Sequence, residues 1–338
     1  MSNWYLQNGK NSDVVISTRV RLARNIKEFN FENKCKKEDK KKILEKIESI
    51  VPSLGYGLQL LKLKDMDDLT KLSLVEKHII SPEFANSADE NKAILINNEE
   101  NICIMINEED HLRMQVFGEG MAIEELMNLA IEIDQKLETL LDYAYSEKYG
   151  YLTACPTNVG TGARISVMVH LPGLAETGNL NKVLHIVNNF GMNVRGVYGE
   201  GSQSMGNIYQ ISNNQTLGIT EKETVKNMKI ITEKVIEQER IARKYLGKEQ
   251  ARFEDMVYRS FGILENARIL SSNECIDLLS DVKLGTDMGV ISELDDTKVK
   301  KLFLYTKPAN LQKYCGKVMN ANERDMKRTE IIRQIIKE

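Results

Sequence analysis

The stretch Ala163–Leu171 alternates without a break. Ala163, Ile165, Val167, Val169 and Leu171 fall on one side of an extended chain, and Arg164, Ser166, Met168 and His170 on the other. That period of two calls for a sheet with one buried face, because a helix would spread these side chains around its circumference. The run before it, Gly150-Tyr-Leu-Thr-Ala-Cys-Pro-Thr-Asn-Val-Gly-Thr-Gly162, is rich in turn formers. It brings Cys155 and several backbone N–H groups to the mouth of the strand. Arg164, just past a glycine-rich loop at the head of a half-buried strand, is suited to hold an anion.

The rest of the chain fits a sheet first and helices afterwards. Asp13–Ile16, Ala93–Ile96 and Ile102–Ile106 read as strands, and the polar turn Asn97–Asn101 joins the last two as a hairpin. The charged run Lys34–Lys42 opens a helix to Val51 and reads as a solvated face. Apolar residues at helical spacing mark Ile123–Ala144, a further helix lies around Asn179–Phe190, and strands follow at Met192–Val197 and Asn207–Ser212. Beyond Gly218 only helices are expected: Thr220–Leu246, Arg252–Leu270, one opened by the capping box Ser271-x-x-Glu274 and closing near Gly285, Asp295–Tyr305 and Asn322–Ile336. The expected fold class is α+β: an antiparallel sheet flanked by helices over residues 13–250, then an all-helical domain over 251–338.

A chain of 338 residues accommodates two such domains, and its net charge of −3 gives no global basic surface for nucleic acid. No apolar run approaches transmembrane length and no signal-peptide pattern opens the chain, so no membrane association is expected. The five cysteines, Cys35, Cys103, Cys155, Cys275 and Cys315, are scattered without CxxC spacing. This points to a reducing cytoplasm and gives no metal site.

Any arginine cluster in so balanced a chain must be local. Arg19 and Arg21 are two apart on an extended segment and share a face, and Arg113, Arg164 and Arg195 stand near other motifs. Guanidinium groups hold phosphate oxygens bidentately, so a triphosphate with Mg²⁺ is the ligand such a cluster would suit. Taken singly, each arginine reads better as a surface ion pair. The P-loop and the protein-kinase HRD and DFG motifs are absent, which excludes those two nucleotide-binding classes. Glu108, Glu109 and Asp110 end one strand, and Glu200 lies in the loop Arg195-Gly-Val-Tyr-Gly-Glu-Gly201. Two carboxylates can grip a cationic guanidinium, align one nitrogen and accept a proton. A bare acidic run at a strand end more often means only solvation.

Three segments remove that ambiguity. Ser17-Thr-Arg-Val-Arg-Leu-Ala-Arg-Asn25, Asn107-Glu-Glu-Asp-His-Leu-Arg113 and Gly150–Arg164 together resemble the catalytic domain of the phosphagen (guanidino) kinases, a glutamine-synthetase-like fold, from about Asp13 to about Arg240. The resemblance implies that ATP is held by Ser17, Thr18, Arg19, Val20 and Arg21, by His78, Arg113, Arg164, Ile165, Ser166, Val167 and Met168, and by Arg195, Gly196, Val197, Tyr198, Gly199 and Glu200. It implies further that Glu109 and Glu200 hold the substrate guanidinium, with Cys155 assisting as a thiolate rather than as a covalent nucleophile.

The small-molecule members of the family carry a helical domain ahead of the catalytic one, and Ser17 stands too early for it. They also have arginine where this chain has Tyr198. In both respects the chain is similar to the bacterial protein arginine kinases, which have a C-terminal helical domain. There Arg324-Asp325-Met326-Lys327-Arg328-Thr329 resembles their RDxxRA motif, with threonine in place of the alanine. The implied activity is phosphorylation of arginine side chains in proteins. The motif implies allosteric phosphoarginine binding, with Arg324 and Arg328 on one helical face and Asp325 beside them. The implied partners are unfolded proteins and a heat-shock repressor as substrates, the Clp protease, a zinc-binding activator protein and a second copy of the chain. Two other readings remain: a kinase of a small guanidino compound, opposed by the missing N-terminal domain, and a non-catalytic phosphoarginine adaptor, opposed by the intact arginines and glutamates.

Overall fold

The computed structural model describes residues 4–197 and 204–338. The strands are β1 Val15–Arg24, β2 Gln59–Lys62, β3 Ala93–Ile96, β4 Ile102–Ile106, β5 Leu112–Glu119, β6 Tyr145–Ser146, β7 Gly150–Tyr151, β8 Ala163–His170, β9 Met192–Gly196 and β10 Ile208–Asn213. Eight of them form one sheet in the order β2-β3-β4-β5-β1-β8-β10-β9, and β6 pairs with β7 in a small hairpin. Every neighbouring pair in the large sheet is antiparallel. β1 lies between β5 and β8 and is longer than the Asp13–Ile16 strand read from the sequence, since it runs on through the arginine-bearing segment.

Helices α1 Lys37–Leu54, α2 Asp68–Glu76, α3 Pro82–Ala85, α4 Ile123–Glu138, α5 Pro172–Glu176, α6 Leu180–Asn189 and α7 Glu221–Leu246 accompany the sheet. The helix expected to reach Ala144 stops at Glu138, and Leu141 and Tyr143 fill the core from the segment beyond it. α8 Gln250–Asn266, α9 Ser272–Asp287, α10 Asp296–Tyr305, α11 Pro308–Cys315 and α12 Ala321–Lys337 complete the chain. Ser271 caps α9 by accepting from the Glu274 N–H, and α7 opens with a full capping box between Thr220 and Glu223. Among the described residues no helix is long and apolar enough to cross a membrane.

Alternation gives the sheet two unlike faces. Val20, Leu22, Met114, Val116, Ile165 and Val167 point to one side and join α1, α4 and α7 in the main core. Arg19, Arg21, Arg113, Arg164 and Ser166 share the other. That face is dry only toward β3 and β4, where Phe117, Met105 and Ile94 pack with Trp4, Phe84 and Ile79. A separate core, built on Val257, Leu279, Leu302, Leu311 and Ile332, holds α8 to α12 together.

The helical domain is fastened to the sheet domain by buried polar contacts. The Glu76 carboxylate, at the end of α2, accepts from the backbone N–H groups of Ala309 at 2.7 Å and Asn310 at 2.9 Å, capping α11 from across the seam. Arg243 of α7 donates to Glu239 at 2.7 Å and to Asp287 of α9 at 3.2 Å, and Lys283 bonds the same Asp287 at 3.0 Å. Glu239 in turn accepts from the N–H groups of Gly173 and Leu174. With Arg243 only 5% exposed and Glu239 at 0%, this network lies out of water. Arg243→Ala is expected to cost about 3 kcal/mol of unfolding free energy, the low end for breaking a buried pair. Denaturant titration measures it, and a loss under about 1 kcal/mol would show that the seam contributes little.

Candidate active site

The sheet register assembles the arginines. Arg21 lies opposite Arg164 across β1 and β8, Arg19 lies opposite Ser166, and Arg113 pairs with Ala23 on the far side of β1. Arg195 enters from β9, directly across from Gln210 of β10, and is exposed. Ser17 and Met168 share the arginine face, whereas Thr18, Val20, Ile165 and Val167 turn to the opposite one. Val20, Ile165 and Val167 lie in the main core, and the Thr18 hydroxyl donates to the Gly120 carbonyl at 2.6 Å. Among these residues, alternation lets only every second side chain reach a ligand on the arginine face. Tyr198, Gly199 and Glu200 lie outside the described residues; Gly196 ends β9 and Val197 is buried behind it.

These cations are held by few anions. Arg19 donates to three neutral acceptors: the Ser166 hydroxyl at 3.2 Å, the His78 carbonyl at 3.4 Å and the Gln210 amide oxygen at 3.0 Å. Burial, with Arg113 and Arg164 nearby, brings its pKa down to about 10. Burial acts in the same direction on Arg21, reinforced by Arg19, Arg113 and Arg164, with only Glu108 opposing. Burial and then Arg195 and Arg113 lower Arg164, while Cys155 and Glu109 oppose the shift. Among the described residues the buried Nε atoms of Arg21 and Arg164 have no hydrogen-bond partner. A face of mutually repelling, partly unsatisfied guanidinium groups is one that a polyanion would neutralise.

The acidic run divides its work. Both oxygens of Glu108 take Arg113 Nη1, at 2.8 and 2.6 Å, and one also accepts from Ser81 at 3.0 Å. Asp110 is buried and accepts from Asn25 Nδ2 at 2.6 Å and the Ala154 N–H at 2.7 Å, which pins the cysteine loop to β1. His111 accepts the Ile26 N–H on Nδ1 at 3.0 Å and faces the Asn30 carbonyl from Nε2 at 2.9 Å, so it is neutral and structural. Glu109 alone is exposed, touched by Asn158 Nδ2 at 3.4 Å. Cys155 lies three residues from Asn158 on the same turn, its Sγ 3.0 Å from the Thr157 hydroxyl.

Two supports went unread in the sequence. Arg24, 2% exposed, donates to Asp134 at 2.6 Å and to the Thr161 carbonyl at 3.0 Å, and lies 3.5 Å above the Tyr151 ring. It anchors both ends of the loop that carries Cys155. A Cβ on Gly162 would sit 2.5 Å from that guanidinium, and one on Gly160 only 2.2 Å from the Thr216 carbonyl, so the loop closes only with glycine there.

His78 takes a positive φ of 60° beside Arg19. Burial first, then Lys307 and Arg19, brings its pKa down to about 3, so its ring is neutral. In the α12 motif Arg324 and Arg328 lie one turn apart and differ in burial. Arg328 is 1% exposed and donates inward to the Thr306 carbonyl at 2.8 Å, to the Leu270 carbonyl and to Asp325 at 2.6 Å. Arg324 is half-buried and donates to the Met319 carbonyl at 2.8 Å. Met326 is exposed, Lys327 pairs with Glu330, and the Thr329 hydroxyl returns to its own helix at Met326.

Comparison with known proteins agrees with this geometry. Residues 40–242 match the family model of the ATP:guanido phosphotransferase C-terminal catalytic domain. Residues 250–338 match that of the protein-arginine kinase McsB C-terminal domain. A protein-arginine kinase of Halothermothrix orenii is 48% identical over 98% of this chain and 96% of its own length. One of Geobacillus sp. (strain WCH70) is 44% identical over 100% of the chain and 94% of its own. The chain belongs to the protein-arginine kinase family. It is a phosphotransferase whose catalytic fold is that of the guanidino kinases. The duplicated taurocyamine kinase of Schistosoma mansoni superposes with a TM-score of 0.62 at 26% identity, over 76% of this chain and 39% of that one. A lombricine kinase superposes at 0.59 and 25% identity, over 69% and 68%.

Burial raises the Glu108 pKa, but the Arg113 charge and hydrogen bonds outweigh it and hold the carboxyl below its usual range. A depressed carboxyl stabilises the fold above its unfolded pKa and loses that contribution as pH falls through the folded value. The stability gap between wild type and Glu108→Gln is therefore expected to be full above about pH 5 and to shrink progressively as pH falls below about 4. Urea titrations from neutrality downward check this; a gap that stays constant would contradict the pairing.

Proposed function

We propose that the protein transfers the γ-phosphoryl group of ATP to arginine side chains of proteins, forming a phosphoramidate. The observation that carries this reading is the arginine face itself, with Arg21 and Arg164 opposed in register and the exposed Glu109 beside it. Arg19, Arg21, Arg113, Arg164 and Arg195 bind the triphosphate and neutralise charge as the bond to the leaving phosphate breaks. Glu109 and Glu200 grip the incoming guanidinium, orient one nitrogen in line with the γ-phosphorus and take up its proton, and Cys155 steadies the group from the loop. Mg²⁺ would accompany the nucleotide and shield its phosphates.

The exposure of Glu109 suits an arginine presented on a polypeptide. Unfolded proteins and a heat-shock repressor are the substrates in this reading. Phosphorylated chains are handed to the Clp protease, a zinc-binding protein activates the kinase, and the enzyme works in the cytoplasm as a homodimer. Phosphoarginine acts as an allosteric signal at Arg324 and Asp325, with Arg328 bracing the site from inside.

Glu109→Gln and Glu200→Gln should each lower transfer to an unfolded protein by about two to four powers of ten while ATP still binds. Phosphoarginine mass spectrometry under non-acidic conditions and nucleotide titration read the two quantities, and wild-type turnover in both variants would remove the assignment. Cys155→Ser should be milder than either, and Arg164→Lys should rescue poorly because it lacks the bidentate fork. Free phosphoarginine should raise activity by about five- to 150-fold, the usual span of such couplings, and Arg324→Ala should abolish that response. An enzyme indifferent to the ligand would leave the α12 motif a structural brace.

A further inference from the structure

The arginine face leads into a cavity of about 140 Å³ bounded by both domains. Phe117, Met168 and Ile208 line it from the sheet, and Val299, Phe303 and Leu304 line it from α10. Arg19 stands on its threshold, since all three of its acceptors, on Ser166, His78 and Gln210, also belong to the lining. On one side of Arg19 lie the other guanidinium groups, and on the other an aromatic and aliphatic slot beside a neutral histidine. A ligand that fits both is polyanionic at one end and flat and weakly polar at the other, which is the form of a nucleoside triphosphate.

Three of the six apolar residues named in that slot come from the helical domain. Other contacts hold α10 in place there. Lys300 bonds Asp296 at 2.7 Å and the Gln7 carbonyl, which ties α10 to the N-terminal turn bearing Trp4. At the other end Lys307 donates to the Glu76 carbonyl at 2.9 Å, and Arg328 of α12 donates to Thr306 at the C-cap of α10. The wall is therefore held from both sides before any ligand arrives.

We infer that α10 is the outer wall of the base-binding pocket, and that Phe303 is a nucleotide-binding residue contributed by the C-terminal domain. The inference rests on the reading of the arginine face as a triphosphate cradle. It assigns the base to the slot between Met168 and Phe303 and makes the helical domain part of the nucleotide site.

Trp4 also lines the cavity and is the single tryptophan of the chain, so its fluorescence reports on occupancy. The test titrates the full-length protein with ATP, ADP and inorganic tripolyphosphate, following Trp4 emission and, in parallel, calorimetry. In the wild type the two nucleotides should alter the emission. Phe303→Ala should weaken ATP and ADP by about tenfold and leave tripolyphosphate binding unchanged, because that probe engages only the arginines. Phe303→Leu, which keeps an apolar side chain of similar reach, should give a smaller loss and serves if the alanine variant does not fold. Wild-type affinity for ATP in a folded Phe303 variant overturns the inference, as does an equal loss of tripolyphosphate. Failure of the wild type to bind ATP or tripolyphosphate would instead overturn the cradle reading beneath it.

Discussion

Guanidinium groups brought face to face on adjacent strands set the terms for the rest of this molecule. The register that places Arg21 opposite Arg164 works against the fold, because like charges face each other across one ladder step and burial takes away the water that would screen them. Three devices offset this. Arg113 is neutralised by Glu108. Arg19 is divided among three neutral acceptors. The reverse face of the same strands, with Val20, Ile165 and Val167 at 0% exposure, supplies the apolar burial that holds the ladder closed. Arg21 and Arg164 keep an unsatisfied nitrogen each. A local rule of stability is broken at the position where phosphate chemistry is expected, and the core behind it carries the cost.

The sequence exposed this arrangement unevenly, for physical reasons. β8 was legible because its alternation is perfect, and so was the site face it defines. β5 was not, although it sits at the centre of the sheet. Its residues Leu112–Glu119 are buried on both faces for most of their length, which erases the period of two. The β1 strand was cut short for the opposite reason, since two arginines on one face hide the apolar residues between them. The acidic run did not show its division of labour: only the folded chain separates Glu108, bound to Arg113, from Glu109, left in solvent. Helical spacing of Arg324 and Arg328 carries no sign of which of the two the neighbouring helices cover, and it is Arg328 that is buried. Tyr198, Gly199 and Glu200, which the family resemblance assigns to ATP and, for Glu200, to the substrate guanidinium, lie outside the described residues.

The pattern changes after Gly218, from strands and helices to helices alone, and a division near residue 250 was expected within that helical run. It is a boundary in sequence and in hydrophobic cores, and much less one in polar contacts. Glu76 of the sheet domain caps α11, Ser73 donates to Asn310 at 2.8 Å, and Arg243 reaches Asp287. Such contacts are directional, so they fix how the domains meet more tightly than an apolar patch of equal size would.

That capping carboxylate bears on how freely the two halves can be exchanged. A helical domain borrowed from another member of the family would bring its own α11 but not the glutamate that caps its N-terminus, because that residue travels with the other half. Recombination between relatives would leave two backbone N–H groups of the new helix facing a mismatched surface unless position 76 happened to agree. The seam therefore acts as a compatibility check, through which the two modules are inherited as a matched pair.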